Sequence, residues 1–375
     1  MKTAFVLYGA TSALQRFSAD IFWRTRFAAP DPFFLVEIGE KTTIFVSSLE
    51  FGRAKKEAKA DKIILLQNGG SRREAKEEVT EFLKKHGATE ILVPSHFPYY
   101  LGKFFEKEFR VAVKEPPCYP AREKKTAWEI EEIEKVQRAA ENTLADACEF
   151  LKTATIRDNA ILHGGEAVTS EMLRDFINAR LYAQGCIAIH TIVAGGVQAA
   201  DPHCIGFGPL VPYAPLIIDI FPFSQETHYF ADQTRTVFKG EPQEDVKHMY
   251  EVIRSAQENA IKKIKAGIDG KEIYEETIRF FDANGFPTVQ AQSEGFIHGL
   301  GHGLGLEIHE SPRLGGTRAV LQEGNVITVE PGLYYPEKSG PVPEGGIRIE
   351  DVVVVEKTGC RNLTRFSKKL EEMIL

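Results

Sequence analysis

Over the first third of the chain, short apolar runs alternate with charged stretches. The runs at 4–8, 33–37, 42–46, 62–66 and 91–93 predict strands. The stretches at 49–58, 71–86 and 98–108 predict helices. Alternation of this kind predicts an α/β domain with a parallel or mixed sheet. The pattern then stops at "KEPPCYPAREKK", residues 114–125, where three prolines among charges read as a linker. The boundary is expected near residue 120, dividing the chain into domains 1–120 and 121–375.

The second part opens on "TAWEIEEIEKVQRAAENTLADACEFLKTA". Ile130, Ile133, Val136, Ala139 and Ala140 recur there at helical spacing, which predicts a long amphipathic packing helix. Further helices are expected at 169–184, 244–266 and 271–284. Strands are expected at 188–194, 216–221, 229–238, 326–330 and 347–355. No low-complexity segment or close internal repeat interrupts this order.

The chain has 375 residues, of which 43% are hydrophobic and 26% charged, an ordinary globular balance with room for two domains. A net charge of −7 gives no electrostatic case for nucleic acid. No apolar run nears the roughly 18–20 residues that span a bilayer. The opening "MKTAFVLYGATSAL" faintly resembles a signal peptide, but "TAFVLYG" reads better as a buried strand. Five cysteines, an odd number without a C-x-x-C pair, fit free thiols in a reducing cytoplasm.

Candidate chemistry concentrates in "FIHGLGHGLGLEIHESP", residues 296–312, which holds His298, His302 and His309, three of ten histidines. Buried imidazoles need partners, and repeated glycine suggests backbone passing close to something. Metal ligation, proton transfer and substrate contact are all open to such residues, and the spacing alone does not choose. It is not the H-E-x-x-H pattern of helical zinc sites, so any co-ligands come from elsewhere. Four acidic residues stand where apolar ones are expected. They are Asp219 in "PLIIDIFPF", Asp232 in "HYFADQTRTVF", Glu330 in "NVITVEPGLYY" and Glu350 in "GGIRIEDVVVV". By alternation, Asp232 shares a strand face with Thr234 and Thr236, and Glu350 shares one with Arg348. Burying several carboxylates together is costly unless cations neutralise them. Hard oxygen ligands with one imidazole suit Mn²⁺, Co²⁺, Fe²⁺ or Zn²⁺. A pair of such ions would make one histidine a ligand and leave the others to the reaction.

In these motifs the chain resembles the pita-bread metallopeptidases, the group of prolidase, aminopeptidase P and methionine aminopeptidase. The resemblance covers essentially the whole chain. It implies an α+β architecture, a creatinase-like N-terminal α/β domain followed by a C-terminal pita-bread catalytic domain. The family's ordered set of Asp, Asp, His, Glu and Glu matches Asp219, Asp232 in "ADQTRT", His302 in "HGLGHGLGLEIHE", Glu330 in "VEPG" and Glu350 in "IRIED". The resemblance implies that these hold two divalent ions, Mn²⁺ or Co²⁺ first and Zn²⁺ or Fe²⁺ as alternatives, with Asp232 and Glu350 bridging. It further implies attack by a bridging hydroxide on an Xaa-Pro bond, with Glu330 trading protons. His203 in "DPHCIG", His298 and His309 match histidines for substrate binding and proton transfer. Arg313 in "HESPR" matches a position that helps hold a carboxylate, and Arg348 is expected to support the site. A homodimer acting on a small proline peptide is implied as well.

One departure stands out. Twelve residues separate Asp219 from Asp232, more than the family's usual spacing, and Phe221 replaces its glycine. This reads as a lengthened hairpin, with Phe221 and Phe223 expected to narrow the pocket. "ILHGGEAVTSE", residues 161–171, also looks long for the family. The size favours a dipeptidase, with aminopeptidase P close behind. A metal-dependent lyase on the same scaffold is not excluded by the ligands. Creatinase-type chemistry and a dead binding module are disfavoured by the intact ligand set, and methionine aminopeptidase by the N-terminal domain.

Overall fold

The computed structural model describes residues 2–12, 17–67, 72–289, 293–338 and 342–375. Ser71, where the second expected helix begins, lies outside these residues, as do residues 13–14 at the end of the opening run. The chain forms two units, Met1–Arg122 and Glu123–Leu375.

The first unit is built on one six-stranded sheet. Its order is Lys62–Leu65, Lys41–Val46, Phe33–Ile38, Thr3–Gly9, Glu90–Pro94 and Arg110–Lys114. Phe33–Ile38 runs antiparallel to both neighbours, and the remaining pairings are parallel. Alternation along Thr3–Gly9 sends Ala4 and Val6 into one core and Phe5 and Leu7 into another. The sheet is therefore buried on both faces, which is why its strands read as unbroken apolar runs. Two elements escape the sequence pattern. The helix Ala19–Thr25 is only seven residues long. The strand Arg110–Lys114 is an edge strand, charged at both ends and lying partly within the expected linker.

The second unit opens with the expected long helix, Ala127–Thr153. Thr126 and Glu129 form a reciprocal capping box at its start. Its stripe of Ile133, Val136, Leu144 and Leu151 is buried. Full burial of such side chains contributes about 1.5–3 kcal/mol each. A three-stranded antiparallel sheet runs Ile192–Gly195, Leu216–Ile220, Gln233–Val237. A five-stranded sheet runs Glu310–Leu314, Gly301–Gly303, Val326–Val329, Asp351–Val355, Cys360–Asn362. Gly332–Tyr335 and Gly345–Arg348 form a separate antiparallel pair.

Three expected strands are interrupted, each for a local reason. The run over 188–194 is regular only from Ile192, in Ile192–Gly195; Cys186–Ile187 is a separate strand before it, with His190 between them at φ 61°. The run over 229–238 is regular only at Gln233–Val237, so Asp232 precedes its strand instead of lying within it. The run over 347–355 breaks at Ile349 and Glu350. There the chain changes sheets. Arg348 pairs with Gly332, whereas Asp351 pairs with Val329. Pro331 stands at the crossing and has no N–H for a ladder. The Glu350 N–H instead donates to Thr234 O at 3.0 Å. Glu330 and Glu350 thus occupy facing positions at a double crossing of two strands.

Candidate active site

The double crossing, the strand Leu216–Ile220 and the histidine-rich loop enclose a cavity of about 570 Å³. All ten expected site residues line it: His203, Asp219, Asp232, His298, His302, His309, Arg313, Glu330, Arg348 and Glu350. Apolar residues from several elements, Ile192, Phe221, Ile297 and Ile308 among them, complete the wall.

Each carboxylate is set by its backbone. Asp219 pairs across the sheet with Thr234. The Asp232 N–H donates to Gln137 Oε1 of the long helix at 3.4 Å. Thr234 Oγ1 donates to Glu350 Oε2 at 2.8 Å. The Glu330 N–H donates to Leu300 O at 2.8 Å. His302 lies on Gly301–Gly303, where the glycines are a packing requirement. A Cβ at Gly301 would come 2.0 Å from Thr328 O, and one at Gly303 would come 2.3 Å from Ser311 O. The small residues around the histidines let three backbones approach to within contact.

His302 Nδ1 lies 3.0 Å from Gly303 O, so this nitrogen carries the ring's proton. Nε2 then presents a lone pair, and it faces Asp232 Oδ2 at 3.6 Å and Glu330 Oε1 at 3.4 Å. Acceptors facing acceptors repel unless a proton or a metal cation stands between them. Asp232, His302 and Glu350 each bring a ligand atom within 4.8 Å of the others. Asp219 Oδ1 is buried with no hydrogen-bond partner among the described residues, while Oδ2 receives Arg348 Nη2 at 2.6 Å. Burial, then the charges of Glu350 and Asp219, push the Asp232 carboxyl well up. Burial, then Glu330 and Asp219, do the same to Glu350. Glu330 is raised by burial to about 7. Burial and the neighbouring His309 lower His302 to about 3, so its imidazole is neutral and able to ligate. Crowded carboxylates, an orphaned oxygen and a neutral imidazole fit divalent cations.

Several expectations need correction in detail. Arg348 and Glu350 do not lie on one continuous strand, because the chain changes sheets between them. Its guanidinium donates to Asp219 Oδ2 and to Tyr334 Oη, the latter at 2.8 Å. Tyr334 in turn lies 2.8 Å from His298 Nε2, and His298 Nδ1 lies 2.7 Å from Gly299 O. The network makes Nδ1 the donor and Nε2 the acceptor of the tyrosine hydroxyl. His298 lines the cavity, yet both ring nitrogens are engaged inside the protein. Burial and Arg348 lower its pKa to about 4. Phe221 lines the cavity as expected, but Phe223 is 5% exposed and packs on Phe230, ring centroids 5.1 Å apart. Glu310, a conceivable partner for Arg313, pairs with Lys125 instead. Arg313 is exposed and has no ion pair among the described residues. Tyr334 was not foreseen, since an aromatic residue in an apolar strand reads as core. Its signal is the hydroxyl, which when buried must find a partner.

A model of metallopeptidase family M24 matches residues 131–357. The Xaa-Pro dipeptidase of Pyrococcus furiosus is 31% identical over 344 residues, covering 90% of this chain and 88% of that one. Among solved structures, the prolidase from Pyrococcus furiosus is similar with a TM-score of 0.79 at 26% identity, over 97% of this chain and 96% of that chain. The X-Pro aminopeptidase from Thermotoga maritima has a TM-score of 0.80 at 24% identity, over 98% and 97%, a likeness of fold.

Proposed function

The chain belongs to metallopeptidase family M24, and from that membership we propose that it hydrolyses Xaa-Pro dipeptides with two divalent ions held by Asp219, Asp232, His302, Glu330 and Glu350. The fold is α+β, with an α/β unit ahead of a pita-bread catalytic unit. The observation that carries the reading is the aim of His302 Nε2 at two carboxylates, beside the orphaned oxygen of Asp219. Manganese or cobalt would supply hydroxide near neutral pH and polarise the scissile carbonyl.

The chain's own residues do the rest. Glu330 takes a proton and delivers it to the leaving nitrogen of proline. Burial raises the Glu330 carboxyl to about 7, near the pH at which such a group would exchange a proton. His309, exposed in the cavity wall, donates to the oxyanion as it forms, and His203, also exposed in that wall, contacts substrate. Arg313 takes the free C-terminal carboxylate of a dipeptide in a charge-assisted contact. Arg348 fixes Asp219, and His298 presents a neutral ring to the substrate. The same reading places a homodimer in the cytoplasm. Free thiols at all five cysteines favour a reducing compartment, and sedimentation would give the assembly. No helix among the described residues is long and apolar enough to cross a membrane.

The test is steady-state hydrolysis of Ala-Pro and Ala-Pro-Ala with manganese or cobalt added. Faster cleavage of the dipeptide is expected. Faster cleavage of the tripeptide would make the enzyme an aminopeptidase, and cleavage of neither would remove the proline specificity.

A further inference from the structure

We propose that Lys125 is a positioning residue for His309, acting through the carboxylate of Glu310. This rests on the reading that His309 serves turnover. Among the described residues the His309 side chain has no hydrogen-bond partner; its only ring neighbour is His302, with centroids 4.4 Å apart and planes nearly perpendicular. Its placement therefore depends on the backbone of the loop that carries it. That backbone is closed by Glu310. Glu310 Oε1 accepts the N–H groups of Leu306 at 3.0 Å and Glu307 at 3.1 Å. The turn lies flush against the carboxylate, for a Cβ at Gly305 would come 2.7 Å from Glu310 Oε2.

The other oxygen of Glu310 meets Lys125 Nζ at 2.8 Å, and the two side chains are only 2% and 7% exposed. Lys125 is itself fixed from behind, its N–H donating to Gly324 O at 2.8 Å. The Lys125 ammonium holds Glu310 Oε2 in a charge-assisted contact, which fixes the plane of the carboxylate and so the aim of Oε1. Without Lys125 that contact is lost, the carboxylate is freer to turn, and its hold on Leu306 and Glu307 weakens. The loop then loosens one residue away from the imidazole. A residue 185 positions distant in sequence thus sets where His309 can donate.

Lys125→Met should lower kcat for Ala-Pro about tenfold to 100-fold, the scale of a catalytic group displaced by an ångström. KM should change far less, because the His309 contact belongs to the transition state. Lys125→Arg should restore most of the activity. In a His309→Ala background the Lys125→Met change should cost less than about twofold more, since the group it positions is gone. Hydrogen exchange should quicken at the Leu306 and Glu307 amides. Glu310→Gln, which preserves shape, is the second variant if Lys125→Met does not fold. An equal loss with and without His309, or unchanged protection of both amides, overturns the proposal. Full activity of His309→Ala alone would overturn the role of His309, while the amide exchange still decides whether Lys125 holds the loop.

Discussion

Arg313 carries the specificity question at the scale of single residues. Its guanidinium is exposed in the cavity, and the acidic neighbour that could have neutralised it is bound to Lys125. Arg313→Ala should raise KM for Ala-Pro at least about tenfold and raise it much less for Ala-Pro-Ala, whose matching position is a neutral amide. Equal losses on both peptides would show that no carboxylate is anchored there. Glu330 supports a prediction about stability. Its carboxyl is raised from 4.5 to about 7, so the metal-free fold retains a proton that the unfolded chain releases. The stabilisation is complete below about pH 4.5 and is lost as pH rises through about 7. Urea unfolding of metal-free protein should therefore show wild type losing on the order of 3 kcal/mol relative to Glu330→Gln across that window. A constant difference would contradict the raised pKa. The four acidic residues stood out because each interrupts an apolar run, and His298, His302 and His309 because they crowd one glycine-rich stretch. Tyr334 and Lys125 were not, because a core tyrosine and a linker lysine look ordinary until their partners are seen.

Among the elements, the hairpin between Leu216–Ile220 and Gln233–Val237 separates this chain from its family's usual pattern. It folds back through Phe223–Ser224, which pairs with Cys186–Ile187, and through a bridge between Phe223 and Phe230. Phe223 thereby anchors the hairpin, and Phe221 is left facing the cavity two residues beyond Asp219. Arg313 belongs to a different sheet, so the two residues line the cavity from separate elements. Phe221→Gly should then relax selection for the N-side residue. The ratio of kcat/KM for Phe-Pro to that for Gly-Pro should rise by roughly tenfold or more, a scale that one apolar side chain can set. An unchanged ratio would mean that the ring touches no substrate. Helices with a clear period were legible to within three residues at either end. The sheet change at Ile349 and Glu350 was not, because "IRIEDVVVV" reads as one continuous strand, without a glycine or proline to mark a break. What divides it is the proline opposite, an influence that arrives only when the strands have met.

For the whole molecule, the chain forms the units Met1–Arg122 and Glu123–Leu375. Divalent ions should raise the melting temperature steadily with their logarithmic concentration, because they bind only the assembled site. Elemental analysis of saturated protein should give about two ions per chain. A single ion at saturation would remove the paired site. The double crossing at Glu330 and Glu350 has a kinetic consequence. The contacts that tie this crossing to the strands around Asp219 and Asp232 are non-local: Arg348 to Asp219 spans 129 positions and Thr234 to Glu350 spans 116. An ion therefore has little to grip while the chain is crossing its folding barrier. Refolding with and without manganese should proceed at nearly the same rate, and the unfolding limb alone should slow as the ion is added. The metal would act as a latch on a finished structure, lengthening the life of the native state without hastening its birth.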